Sequence, residues 1–341
     1  ANSPESDASR RTVIQAGKSL ADAFRHISRQ LSALRDDVTT NVSQHVSQIN
    51  TIASQIAKLN EQIRDVTLIP NEQANDLRDK RDLLIDKLAG ITKIRVSENP
   101  NSMVNIAVGD RTLVSGTSAE VAVYSEDITG PHLMIAGADA IGAAGGAGLG
   151  AKVGGLFDLR DRVISGYSTE LDTLASAIIT STNAVHRSGW GLGDLVHEER
   201  DFFSGTGAGD MDVSPVLTSD PAKLAASSNG LPGDGSIALQ IGGLKQQFTM
   251  RSNTVTFDDF FRGLIGKLGV EADEVNRFVS NQNLVIKEIE AHRQDVQGVS
   301  IDEEMANMVR FQHAYNAAAR LVTAVDEMLE TVVSRMGLTG R

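Results

Sequence analysis

Apolar side chains recur every seven residues along the last forty positions of the chain. Ile301, Met308, Tyr315, Val322, Leu329 and Met336 share one row, and Phe311, Ala318, Val325 and Val332 the companion row. Glu304 alone breaks the pattern, in a first turn where a carboxylate suits the helix dipole. Ser300 with Glu303 forms a capping box after Gly298, and Gly337 supplies a stop. The pattern predicts one uninterrupted helix on the order of 55 Å long, at ~1.5 Å per residue. So long a heptad stripe needs an equally long partner, in this chain or in another. Met305, Met308, Phe311, Tyr315, Val322, Val325, Leu329 and Val332 are the packing residues it offers.

The front of the chain repeats the theme. Asp7 to Ile69 reads as helix, with Val42, Ile49, Ile56 and Ile63 in one row and Leu31, Val38, Ile52, Leu59 and Val66 in the other. Pro70 ends it. Asn71 caps a second helix, Glu72 to Ala89, which Gly90 stops, and the pair suggests a helical hairpin. The period then falls to two. Ile94 to Val96, Val104 to Val108, Arg111 to Val114, Val121 to Val123 and Leu133 to Ile135 read as strands, with Gly109-Asp110 as a tight turn. Such a module of roughly fifty residues leans on a neighbour for stability.

Gly137 to Gly155 is a glycine- and alanine-rich return loop. Helix resumes from Leu156 to Arg187, and Ser188 to Ser219 is rich in turns. Asp220-Pro221 opens a short helix through Ala226, and Ile237 to Ile241 and Gln246 to Thr249 read as short strands. Thr256 with Asp259 opens a helix that stops at Gly269, and Glu271 to Gln297 is another. The expected architecture is mainly α with a β insertion: an elongated helical bundle or coiled-coil core plus a small β domain. The divisions are 1–93 and 152–297 for the core, 94–151 for the β domain and 298–341 for a terminal coiled-coil helix.

Composition narrows the functions. Asp and Glu number 44 against 32 Lys and Arg, and aromatics make up 4%, which disfavours a nucleic-acid or anionic-membrane partner. No cysteine is present, so thiolate metal sites and disulfides are excluded. No run is apolar enough to span a bilayer, and Ala1 to Arg11 holds no signal-peptide core. Gly148, Gly150, Gly154 and Gly155 precede a helix, but the spacing of a phosphate-binding loop is absent. His186 and His197-Glu198-Glu199 come nearest to a metal cluster, without the HExxH spacing, and read as surface residues. Asp76, Asp79 and Asp82 alternate with Arg78, Lys80 and Arg81 as on a solvated helix face. No nucleophile elbow appears. Neither catalysis nor a cofactor is expected.

The stretch from Ile301 through Val322, continued by Val325-Asp-Glu-Met-Leu-Glu, resembles the C-terminal segment of bacterial flagellar rod, hook and hook-associated proteins. Four further motifs resemble the hook-associated proteins of the hook–filament junction. They are Ala74-Asn-Asp-Leu-Arg-Asp-Lys-Arg-Asp-Leu-Leu, Gly154-Gly-Leu-Phe-Asp-Leu-Arg-Asp, Asn183-Ala-Val-His-Arg-Ser-Gly and Asp220-Pro-Ala-Lys-Leu-Ala-Ala-Ser. The similarity runs from about Pro4 to Met336. It implies an extracellular structural subunit, exported through the flagellar type III apparatus and packed as a ring between hook and filament. The implied partners are other copies, hook protein, the second junction protein and an export chaperone that holds Met305 to Val333. It also implies an N-terminal segment on the order of a hundred residues that this sequence lacks, so the terminal helix is expected without its mate. Another flagellar axial protein, a coiled-coil scaffold or adhesin, and a hydrolase inserted between helices are the competing readings.

Overall fold

The computed structural model describes residues 3–69, 74–127, 130–140, 148–297 and 301–336. Helix α1 (Asp7–Thr67) is capped by Ser6, whose side chain accepts from the Ser9 amide. It runs 61 residues, on the order of 90 Å. Val42, Ile49, Ile56 and Ile63 are buried as the heptad reading requires. In the companion row Val38 is buried as expected, but beyond it the buried positions shift by one residue: Val46, Ala53 and Asn60 are buried, while Ile52, Leu59 and Val66 are only half covered. Ala53 and Ala57 let the β module approach closely, and Asn60 serves its backbone, so size and hydrogen bonding outweigh hydrophobicity there.

Helix α2 (Asn75–Ile91) shares a core with α1 through Leu88 and Ile91. Asn71 lies outside the described residues. The helix passes through Gly90 and ends because Thr92 turns extended (φ −144°, ψ 153°). Strands β1 (Ile94–Glu98), β2 (Val104–Val108), β3 (Arg111–Ser115) and β4 (Ser118–Ala119) form an antiparallel meander. Val108 pairs with Arg111 across Gly109, which supplies the turn with φ +57°. Strands β5 (Ala122–Asp127), β6 (Gly130–Ile135) and β7 (Ala138–Asp139) form a second sheet. Ile106, Leu113, Leu133 and Ile135 from both sheets join Ile49 and Ile56 of α1 in one core. The β module therefore leans on the helices, as its size demanded.

Helix α3 (Ala151–Asp158), one wide π turn (Leu159–Ile164) and α4 (Ser165–Arg187) follow one another directly. The helix starts five residues earlier than expected. Gly154 and Gly155 lie inside it, and the cost of glycine is offset by packing of Val153 and Phe157. Strands β8 (Phe203–Ser204) and β9 (Asp212–Val213) make a short ribbon before α5 (Pro215–Ser219).

After Asp220 only a 3₁₀ turn forms, Pro221–Lys223, not a helix to Ala226. The Leu224 carbonyl and the Ala225 amide bond to Arg10 and His186 instead, which removes them from any helical ladder. Of the two strands expected next, Ile237 to Ile241 is helical, within α6 (Ser236–Gly243), and Gln246 to Thr249 is irregular after a 3₁₀ turn at Leu244–Gln246. Ile237 and Ile241 are four apart, a spacing that serves a helix as well as a strand, and Asp234 accepts from the Ser236 amide.

At the start of α7 (Phe257–Gln297) the Thr256 hydroxyl accepts from the Asp259 amide and donates to the Asp259 carboxylate. Gly269 does not stop it; each exposed glycine costs only ~1 kcal/mol. The final helix is α8 (Ile301–Met336). Gly298, Ser300 and Gly337 lie outside the described residues. The chain divides into two compact units, Ala1–Ile265 and Gly266–Arg341. A second core in the first unit joins Ile14, Ala21 and Phe24 of α1 to Leu171, Leu174, Phe202, Phe203 and Met211.

Candidate assembly surface

Long helices bury apolar rows only where another element covers them, and among the described residues of the second unit none is buried. On α8, Met305, Met308, Phe311, Tyr315, Val322, Val325 and Leu329 are all exposed, with Phe311 and Tyr315 at 73% and 76%. The side chain of Val332 lies outside the described ones. Val309, Leu321 and Met328 widen the stripe. On α7, Val275, Phe278, Val279, Ile286 and Ile289 are exposed as well. Contiguous apolar surface on this scale marks an interaction site. The first unit carries a stripe that the heptad reading missed. Val13, Leu20, Ile27 and Leu34 on α1 are exposed at seven-residue spacing, beside the buried Gly17, Ala21 and Phe24.

The polar centres of the first unit are clamps on backbone. Asn60 donates to the carbonyls of Val104 (2.8 Å) and Gly116 (2.6 Å) and accepts from the Val104 amide (3.1 Å). Ten residues earlier, Asn50 does the same to both groups of Ala122 at 2.8 Å. On α4, Asn183 accepts from the Phe202 and Phe203 amides and donates to the Phe203 carbonyl. A primary amide thus stands in for a neighbouring strand.

His186 is fully buried, contrary to the surface reading. Its Nε2 accepts from the Ala225 amide (2.9 Å), which leaves Nδ1 to donate to the Arg200 carbonyl (2.7 Å). Burial, which outweighs the bond to Arg200, holds its pKa below the ordinary histidine value. Both ring nitrogens are therefore spoken for by backbone. His197 lies against Trp190, with ring centroids 5.4 Å apart. Among the described residues no three His, Asp or Glu side chains gather as a metal site.

The alternating charges of α2 are not all solvated. Arg81 is buried and donates to the Ser102 carbonyl (2.7 Å), and Arg78 donates to the Ser102 hydroxyl. Arg160, also buried, sits in the π turn against the rings of Tyr124 and Phe157 and bonds to Tyr124 and Asp161. Arg10 of α1 donates to the Leu224, Ala222 and Pro4 carbonyls. Gly150 has φ +53°, and the Leu149 carbonyl accepts from Lys93 and Thr92, so this glycine loop is tied to protein. Arg81, Asn183 and His186, all within motifs singled out in the sequence, thus fix backbone. The arrangement offers rigid scaffolding and exposed seams.

Comparison with known proteins gives consistent results. Residues 1–203 match the family described as flagellar hook-associated protein FlgK helical domain, and residues 296–336 match flagellar basal body rod FlgEFG protein C-terminal. Flagellar hook-associated protein 1 of Bacillus subtilis is 32% identical, over 100% of this chain and 74% of its own length. The Salmonella typhimurium protein of the same name is 23% identical, over 97% and 77%. The solved structure of the flagellar hook junction protein FlgK from Burkholderia pseudomallei superposes with a TM-score of 0.73 at 15% identity, covering 88% of this chain and 91% of that one. The mainly helical fold with small antiparallel sheets is common to both.

Proposed function

We propose, from the premise that this chain belongs to the FlgK family of flagellar hook-associated proteins, that it is a structural subunit of the bacterial flagellum joining hook to filament. The observation that carries this reading is the exposed heptad seam of α8. A seam of this length is costly in water and is offset only when another helix covers it. The proposed partners are further copies in a ring, hook protein, the second junction protein and an export chaperone that shields Met305 to Val333 before assembly. In this reading the chain leaves the cell through the flagellar type III apparatus and acts by packing, with no catalytic step and no cofactor. On the same reading residues 1–93 and 152–297 belong to the core and 94–151 to the β domain, although residues 266–297 group with the terminal helix in the second compact unit, and 298–341 is the segment buried on assembly.

Deleting Val299 to Arg341 is expected to leave the first unit folded by circular dichroism and to abolish incorporation into flagella. Electron microscopy of cells carrying that deletion should show hooks without filaments. Normal filaments, or loss of folding in the remainder, would overturn the reading. A coiled-coil scaffold unrelated to flagella would instead give a tight soluble oligomer with no motility defect.

A further inference from the structure

Helices α1 and α4 lie side by side and antiparallel in the second core of the first unit, where Ile14, Ala21 and Phe24 meet Leu171, Leu174 and Ala175. Arg160 of the π turn donates to the Thr39 hydroxyl at one end, and Leu224 and Ala225 tie Arg10 to His186 at the other. Both helices advance ~1.5 Å per residue, so Leu20 is level with about Ser176 and Ala23 with about Thr173.

The exposed row Val13, Leu20, Ile27 and Leu34 makes a ridge along α1, with Ala16 and Ala23 exposed between its members. Its neighbours Thr12 and Ser19 carry no charge, and the Thr12 hydroxyl is already bonded to the Ala8 carbonyl. The ridge lies on the flank of α1 turned away from Arg25, which Asp212 of the β8–β9 ribbon holds. On α4 the complementary shape is open, a groove of ≈ 580 Å³ beside that ribbon. Thr169, Thr173, Ser176, Ala177 and Thr180 line it, with Thr206 from between β8 and β9. The Thr169 and Thr173 hydroxyls donate to the Ser165 and Thr169 carbonyls at 2.9 and 2.7 Å, so covering them strands no donor. Among the described residues lining the groove the one charge is Asp172, and it accepts from the Ala208 amide at 2.8 Å.

We propose that the α1 ridge of one copy packs into the α4 groove of the next copy, side by side at the same height. The proposal rests on the reading that copies of this chain form a ring, and it names the lateral contact between neighbours. Copies related by rotation about an axis along these helices keep α1 of one antiparallel to α4 of the next, as within a single copy. A second copy is the fitting occupant because ridge and groove agree in height, in direction and in lacking free charge. Large side chains spaced one heptad apart enter a row of small ones, which is ridge-into-groove packing. The two surfaces face different ways, one away from the ribbon and one beside it. Joining them makes a heterologous contact, the kind that closes rings. About three helical turns cover less than the ~800 Å² per partner of a stable complex, so the contact is weak alone and adds to the α8 seam.

The chain has no cysteine, so introduced thiols report without background. Full-length chains carrying Ala23→Cys or Thr173→Cys are oxidised mildly, separately and mixed. The mixture is expected to form a disulfide-linked dimer at least tenfold faster than either variant alone. A tenfold rise in ionic strength should change that rate less than about twofold, since no charge pair holds the contact. Leu20→Asp in the Ala23→Cys chain should slow it at least fivefold, and Ser176→Lys in the other chain should restore it. Circular dichroism checks that each variant folds. With Tyr315→Asp in both chains the preference for the mixed dimer should persist. The two readings therefore fail separately: filament loss on deleting α8 tests assembly, and the mixed-dimer preference tests this contact. A mixture no faster than either variant alone would overturn the proposal. So would fastest linkage in Ala23→Cys alone, which would mean that two ridges pair, and so would a preference that disappears with Tyr315→Asp.

Discussion

Replacing Asn60 with alanine tests whether side-chain amides hold the β module on α1. Asn60 is wholly buried, and its amide bonds both the N–H and the C=O of Val104. Truncation leaves those two groups in a closed interior, while the Gly116 carbonyl at the edge can turn to water. Each buried group left without a partner costs about 1–3 kcal/mol, so the substitution should destabilise the module by roughly 3 kcal/mol. That corresponds to roughly a hundredfold more frequent opening, since ~1.4 kcal/mol is tenfold. Asn50→Ala removes the same two bonds from Ala122 at a half-buried site, where water can substitute, and should cost only about 1 kcal/mol. Native-state hydrogen exchange reads both effects at the amides of Val104 and Ala122, without assuming that the whole chain unfolds in one step. Equal losses at the two sites would refute the reasoning, because burial would not then set the cost. So would a loss for Asn60→Ala below about 1 kcal/mol.

The remaining expectations concern the first unit. His186 has a folded-state pKa below its ordinary value, so the unfolded chain takes up the proton first. Stability is then fully present above the ordinary histidine range and falls as pH drops through it; His186→Leu should lower Tm at pH 7.5 and flatten its decline towards pH 5. Gly17→Ala should lower Tm despite alanine's helical advantage of ~1 kcal/mol, because its Cβ would lie 2.8 Å from the Phe202 ring and 3.1 Å from Val213. Asp194→Asn should cost about 2–4 kcal/mol in urea unfolding by leaving Arg200 without its buried partner, and a cost near zero would mean that Glu198 alone suffices.

The long periodic helices were legible because a seven-residue repeat survives over many turns. Val42, Ile49, Ile56 and Ile63 are buried where the pattern puts them. The companion row holds at Val38 but is misplaced by one residue further on, because hydrophobicity favoured Ile52 and Leu59, while the fold selects Ala53 for closeness and Asn60 for its amide. Helix ends were harder to read. Gly90 and Gly269 look like stops, yet neighbouring turns carry the helix through both. Leu224 to Ala226 has helical composition, but Arg10 and His186, distant in sequence, take its backbone groups. His186 resembled a surface histidine because no local pattern shows that Arg200 and Ala225 converge on it. The α8 residues that the repeat singled out, from Met305 to Leu329, are exposed, but so are Val309, Leu321 and Met328, which the seven-residue spacing does not pick out.

Helix α1 contributes to both cores of the first unit, Ile14 to Phe24 in one and Val42 to Ala57 in the other, without a break between them. The consequence is mechanical. A twisting load applied at one core reaches the other through a single rod whose backbone hydrogen bonds act in series. With no proline in that rod and its one glycine, Gly17, wedged beneath Phe202, there is no built-in swivel at which torque could dissipate.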